Sequence, residues 1–178
     1  MRTYRLAIFS CTIILATAII VSPVLSASSS EIITPLSLTT QGGSTSGSLS
    51  SLSLLDQSST DDTPSAYLSF STPSVLYSGF ITYQLPPDIV PTKISSFLLQ
   101  VNFKGPADSS QVWSWSAFNW QSQLWIKISD SIGTQPEVWN DLTFRVRNFS
   151  SYISSAGQIR IRLQSNNSVA DAKLDYQA

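Results

Sequence analysis

Four of the chain's five tryptophans, Trp113, Trp115, Trp120 and Trp125, fall within a short stretch, and the fifth is Trp139. Flat aromatic faces of this size stack on the apolar C–H faces of sugar rings, and their N–H edges tolerate water. Spacing divides the five. Trp113 and Trp115 alternate with Ser114 and Ser116, which puts both on the apolar face of one strand, so they are expected in the core. Trp120 falls in the polar stretch Trp120-Gln121-Ser122-Gln123, where burial is difficult, and Trp125 follows on a returning strand. These two are the better candidates for a stacking platform. Trp139, after Pro136-Glu137-Val138 in an expected loop, is the third, with plugging an end of the fold as its competing role. Asn119, Gln121 and Arg162 are the polar groups expected to assist them.

Arg145 and Arg147 alternate with Phe144 and Val146, and Arg160 and Arg162 alternate with Ile159 and Ile161. If the two strands are neighbours, their outward faces form a basic stripe able to hold uronate or other acidic sugars by bidentate bonds. In the simpler reading they are solvent-face charges, paired with Asp141 or Asp175, that blunt edge association. Asp61 and Asp62 near the start of the domain and Asp175 in its last strand would make a structural calcium site if the terminal strands pair. As turn formers they need no metal. A glycosidase needs two carboxylates facing across a cleft, and no spacing among Asp130, Glu137, Asp141 and Asp175 singles out a pair. The chain has no histidine, which excludes Ser-His-Asp triads and imidazole zinc sites. The expectation is a non-enzyme without a cofactor, apart from that calcium.

The elements that must position these residues read as short strands. Tyr77, Gly79, Ile81, Tyr83 and Leu85 alternate with polar residues up to Pro86-Pro87. Phe97, Leu99, Val101 and Phe103 repeat the pattern until Lys104-Gly105-Pro106. A strand from Gln111 to about Asn119 turns through residues 120–123 and returns as Leu124 to Ser129, a hairpin. Further inward faces are Leu142, Phe144 and Val146, then Ile159, Ile161 and Leu163, then Leu174 and Tyr176. With Tyr67 to Phe70 as the first, about eight strands follow at close spacing, and the one helical turn expected is at Asn148 to Ile153. The fold class is all-β, a jelly-roll-like antiparallel β-sandwich; an immunoglobulin-like sandwich lacks its Cys-Trp-Cys core here.

Ahead of the domain, residues 1–26 read as a secretory signal peptide: Arg2 and Arg5, an uncharged apolar run from Leu6 to Val21, then small residues before a cleavage site after Ser26. The apolar run is shorter than the ~20 residues that span a bilayer, so an uncleaved anchor is the lesser alternative. Residues 27–65, rich in Ser, Thr and Gly, are expected to be a flexible segment leading into the domain at 66–178. The lone cysteine, Cys11, lies within the signal peptide, so a secreted domain has no disulfide and relies on its core. Beyond residue 26, four lysines and four arginines face nine aspartates and two glutamates, a net charge of −3, which makes nucleic acid and anionic membranes poor partners. Stable membrane insertion after cleavage is not expected.

The succession Tyr77-Ser78-Gly79-Phe80-Ile81-Thr82-Tyr83, Leu99 to Pro106, Trp113 to Trp120 with Trp125, Ile159 to Asn167 and Leu174-Asp175-Tyr176 resembles the jelly-roll modules attached to secreted bacterial hydrolases and surface proteins. Such modules are similar to carbohydrate-binding modules. The resemblance covers roughly residues 47–178 and implies a β-sandwich and, beyond it, binding of a polysaccharide or cell-surface glycan. In such modules the last strand usually continues past the point matching Ala178, so the chain reads as a truncated product or a free-standing module. Two functions from different classes follow: a secreted, non-catalytic glycan-binding module, or an extracellular adhesion or spacer domain whose aromatics are all buried.

Overall fold

A computed structural model describes residues 30–72 and 74–178; the expected signal peptide lies outside them. Among the described residues, ten strands form two antiparallel sheets of five. The first sheet holds β1 (Pro35–Gly42), β4 (Ser78–Gln84), β9 (Gln158–Ser165), β6 (Trp113–Asn119) and β7 (Leu124–Asp130), in that order across the sheet. The second holds β2 (Ser44–Ser46), β3 (Leu68–Ser71), β10 (Ala172–Gln177), β5 (Ser96–Lys104) and β8 (Trp139–Arg147). The architecture is the all-β sandwich that alternating side chains dictate, because each strand has one apolar face to bury. Helical structure among the described residues is limited to short 3-10 turns, one of them at Phe149–Tyr152.

The core lies between the sheets. Trp113 and Trp115 on β6 are fully buried, as the Trp-Ser-Trp-Ser alternation requires. Trp113 packs 5.6 Å from Tyr77, and Trp115 sits 5.2 Å from Phe103 and 5.4 Å from Phe144 of the opposite sheet. A polar bridge crosses the same core. Trp115 Nε1 donates to Gln177 Oε1 at 3.2 Å, and Gln177 Nε2 donates to Tyr83 Oη at 2.8 Å. Tyr83 Oη in turn donates to the Gln177 carbonyl at 3.3 Å. The bridge ties β10 of one sheet to β4 and β6 of the other, and burial raises the Tyr83 phenol far above its usual range, keeping it a donor.

The two strands beyond the expected eight lie in the segment read as flexible. β1 pairs with β4, Leu38 facing Ile81 and Thr39 facing Phe80, and β2 pairs with β3. Its low apolar content misleads because a ladder is satisfied by backbone N–H and C=O groups, and an edge strand needs few buried side chains. The chain changes sheets between β1 and β2 at Gly43, where φ is +72° and a Cβ would stand 2.5 Å from the Ser71 carbonyl oxygen, so only glycine turns this corner. Between β2 and β3, Leu49–Ser53 is a 3-10 turn that buries Leu52, and Leu54 and Leu55 are exposed.

Candidate functional site

Residues paired across neighbouring strands point to the same side of a sheet. On the outer side of the first sheet this puts Thr39 (β1), Phe80 (β4), Arg162 (β9), Ser116 (β6) and Lys127 (β7) in one row. Beside it, Thr82 faces Arg160, and Phe118 faces Trp125. The large side chains of these rows interleave. The Arg162 guanidinium lies 4.8 Å from the centre of the Trp125 ring, and that of Arg160 lies 4.8 Å from Trp120 and 5.2 Å from Phe80. Phe118 meets both tryptophans edge to face, at 4.9 Å from Trp120 and 5.1 Å from Trp125, and Phe80 closes the set at 5.8 Å from Trp125. All six side chains are half-buried. They form a ladder of aromatic rings and guanidinium planes on the side of the sheet that faces away from the core.

Each member is held by its neighbours. Trp120 is fixed by its own N–H, which donates to the Ser151 carbonyl at 2.8 Å, and by Gln123 Nε2, which donates to the Trp120 carbonyl. Gln123 takes a left-handed conformation (φ 60°) to close the turn. Partial burial pulls the Arg162 guanidinium down from its ordinary value, and a guanidinium keeps its charge in proteins. At the hairpin end, Trp120 and Arg160 join Gln123, Gln158 and the turn at 154–156 around an open depression of about 570 Å³.

Trp120, Trp125 and Arg162 are thus brought together as a surface. Asn119 is not part of it in the sense expected: its Oδ1 accepts the N–H groups of Gln121 and Ser122 at 3.0 and 2.9 Å, and its Nδ2 donates to Ser151 Oγ, so the side chain shapes the turn. Gln121 is exposed at the tip of the hairpin.

Trp139 is corrected. It is the first residue of β8, not a loop residue, and is only 6% exposed. Its ring packs 5.6 Å from Tyr67, its Nε1 donates to the Asp61 carbonyl at 2.8 Å, and its backbone N–H donates to the Ser59 carbonyl. Its role is to hold the stretch around Ser59 to Asp61 against the second sheet. The four-arginine stripe is corrected as well, because β8 and β9 lie in different sheets, leaving Arg145 and Arg147 exposed away from Arg160 and Arg162. Sequence reasoning missed Phe80 and Phe118 as members of the surface, and set Arg160 beside Arg145 and Arg147 instead of beside Phe80 and Trp120. The signal for the two phenylalanines was an aromatic residue on the outward phase of a strand, as in Ser78-Phe80-Thr82-Gln84 and Ser114-Ser116-Phe118.

The three aspartates of the expected calcium site have separate partners. Asp62 accepts from Lys173 Nζ at 2.6 Å and from Tyr67 Oη, and the Lys173 bond holds its carboxyl below the usual range. Asp61 accepts from Ser58. Asp175, fully buried, accepts the N–H groups of Asp56 and Gln57 at 3.1 and 3.0 Å through one oxygen. No group of three or more His, Cys, Asp or Glu side chains placed to hold a metal occurs among the described residues.

An all-β sandwich that presents an aromatic and arginine ladder on one outer face is the class that fold and surface define. The chain belongs to the family of N-terminal glycosyl-hydrolase-114-associated domains, whose model matches residues 52–176. This agrees with the resemblance to modules attached to hydrolases. No curated protein matches the chain. Among solved structures, the carbohydrate-binding module TmCBM61 in complex with β-1,4-galactotriose is 13% identical, with 63% of this chain and 69% of that chain covered and a TM-score of 0.38. The enzymatically active domain of tailspike protein 4 of bacteriophage CBA120 is 13% identical, with 79% of this chain and 18% of that chain covered and a TM-score of 0.41.

Proposed function

We propose that this chain is a secreted, non-catalytic glycan-binding module that engages sugar rings on the outer face of its first sheet. The observation that carries the reading is the ladder itself. Six large aromatic and guanidinium side chains occupy the outward phase of β4, β6, β7 and β9 and the adjoining turn, where the core asks nothing of them. Half-exposed aromatics in contact with one another present a pre-ordered stacking surface, which lowers the entropy cost of binding. Membership in a family of glycosyl-hydrolase-associated domains supports a role beside glycan chemistry.

A non-catalytic role is supported by where the carboxylates go. Asp130 is ion-paired with Lys127 at 2.6 Å, Asp175 is buried against the 56–57 backbone, and the depression beside Trp120 is lined by no carboxylate. Export is supported by the sequence of residues 1–26 and by the absence of cysteine after Cys11. Calcium is not part of the proposal.

Retention on insoluble polysaccharides and affinity electrophoresis, run beside a melting curve for each variant, test this reading. Trp125→Ala and Trp120→Ala should weaken binding by about 30-fold, the scale of losing one interface anchor. Both variants should remain folded. Trp113→Ala, which removes a fully buried ring, should instead cost about 3–5 kcal/mol of stability. A wild-type domain that binds no glycan, or ladder variants that bind as well as wild type, would transfer the chain to the spacer reading.

A further inference from the structure

The ladder carries two cations with no acidic partner. Among the described residues the ion pairs are Lys127 with Asp130 and Lys173 with Asp62; Arg160 and Arg162 are in neither. The Nε of each arginine is buried without a hydrogen-bond partner. Both guanidinium groups lie against rings, Arg160 between Phe80 and Trp120 and Arg162 on Trp125. Stacking of this kind satisfies the faces of a guanidinium and, with Nε buried, leaves the terminal Nη1 and Nη2 donors to meet a carboxylate or sulfate in a bidentate pair. Beyond residue 26 the chain has more acidic than basic residues, and of its two alternating arginine pairs the one on β9 is the pair that packs against aromatic rings.

We propose, resting on the glycan-binding reading above, that the ladder selects acidic glycans, with Arg160 and Arg162 pairing with the carboxylates of uronate units while Trp120, Trp125 and Phe80 stack on the sugar rings. The two functions are complementary. Stacking is indifferent to charge and supplies affinity for any pyranose face; the unpaired guanidinium edges supply discrimination, because an acidic group fills donors that a neutral sugar leaves unmatched. Alternating residues on one strand stand about 7 Å apart, so both arginines reach a single short stretch of polymer.

The test uses the folded domain with polygalacturonate and with the same polymer fully methyl-esterified, so that the ring is unchanged and the charge is removed. Binding to the free acid should be about tenfold tighter than to the ester at low salt, and this difference should shrink as salt is raised. Arg162→Gln and Arg160→Gln should each weaken binding to the free acid more than binding to the ester, so that the ratio of the two falls, with melting curves taken for both. The salt titration of the wild type needs no variant, so it decides the question even if a substitution unfolds the domain. Equal binding to acid and ester overturns the acidic selectivity and leaves glycan binding standing. Binding to neither polymer nor to a panel of neutral polysaccharides overturns both.

Discussion

Replacing Gln177 by Leu tests the polar bridge through the core, because Leu fills a similar volume and removes only the amide. Gln177 is 1% exposed, and its two partners, Trp115 and Tyr83, are 0% and 4% exposed, so water cannot take its place. Trp115 Nε1 would lose its acceptor outright, and a stranded buried donor costs about 1–3 kcal/mol. Tyr83 would lose the bond it accepts from Nε2 but keep the one it donates to the residue-177 carbonyl, a smaller loss near 1 kcal/mol. The expected destabilisation of Gln177→Leu is therefore about 2–4 kcal/mol. Tyr83→Phe leaves the Gln177 amide without its acceptor and should cost about 1–2 kcal/mol. The two substitutions share a bond, so the double variant should be more stable than the sum of the singles implies by about 1 kcal/mol. Urea unfolding followed by tryptophan fluorescence reads all four proteins, with the midpoint moving and the slope unchanged. A neutral Gln177→Leu, or singles that add to within about 0.3 kcal/mol, would refute the bridge as a contributor to stability.

Two further outcomes follow from the carboxylates. Burial raises the Asp175 carboxyl to about 6, against the opposing N–H bonds from Gln57 and Asp56, so the folded chain holds this proton more tightly than the unfolded chain does. That contribution is fully present below the unfolded value near pH 4 and is lost as pH rises to about 6; Asp175→Asn should therefore flatten the fall in melting temperature across this window, and an identical slope in both proteins would refute the assignment. Because Asp61, Asp62 and Asp175 are engaged by different partners, added calcium and chelator should both leave the melting temperature unchanged, whereas a rise with calcium would restore the metal site by mass action.

Much of the sandwich was legible locally. Alternation along Trp113-Ser114-Trp115-Ser116 assigned two tryptophans to the core, and the same rule gave the inward faces of β4, β5 and β9 and the hairpin whose turn carries Trp120. These are properties of a strand and its two faces, and a strand needs no distant partner to have them. The strand order was not legible. Arg160 and Arg162 meet Phe80, Trp120 and Trp125 only because β9 lies between β4 and β6, and Arg145 and Arg147 are elsewhere only because β8 is the edge of the other sheet. Polar composition hid β1, whose place is fixed by backbone pairing with β4, and a loop-like Pro136-Glu137-Val138 hid the burial of Trp139. By itself the sequence determined the two faces of the strands that alternate regularly; β10, whose register shifts between Leu174 and Tyr176, buries Gln177 rather than the expected Tyr176. Tertiary structure decided which outward residues become neighbours, because strand order depends on contacts between segments far apart in the chain, and alternation carries no information about them.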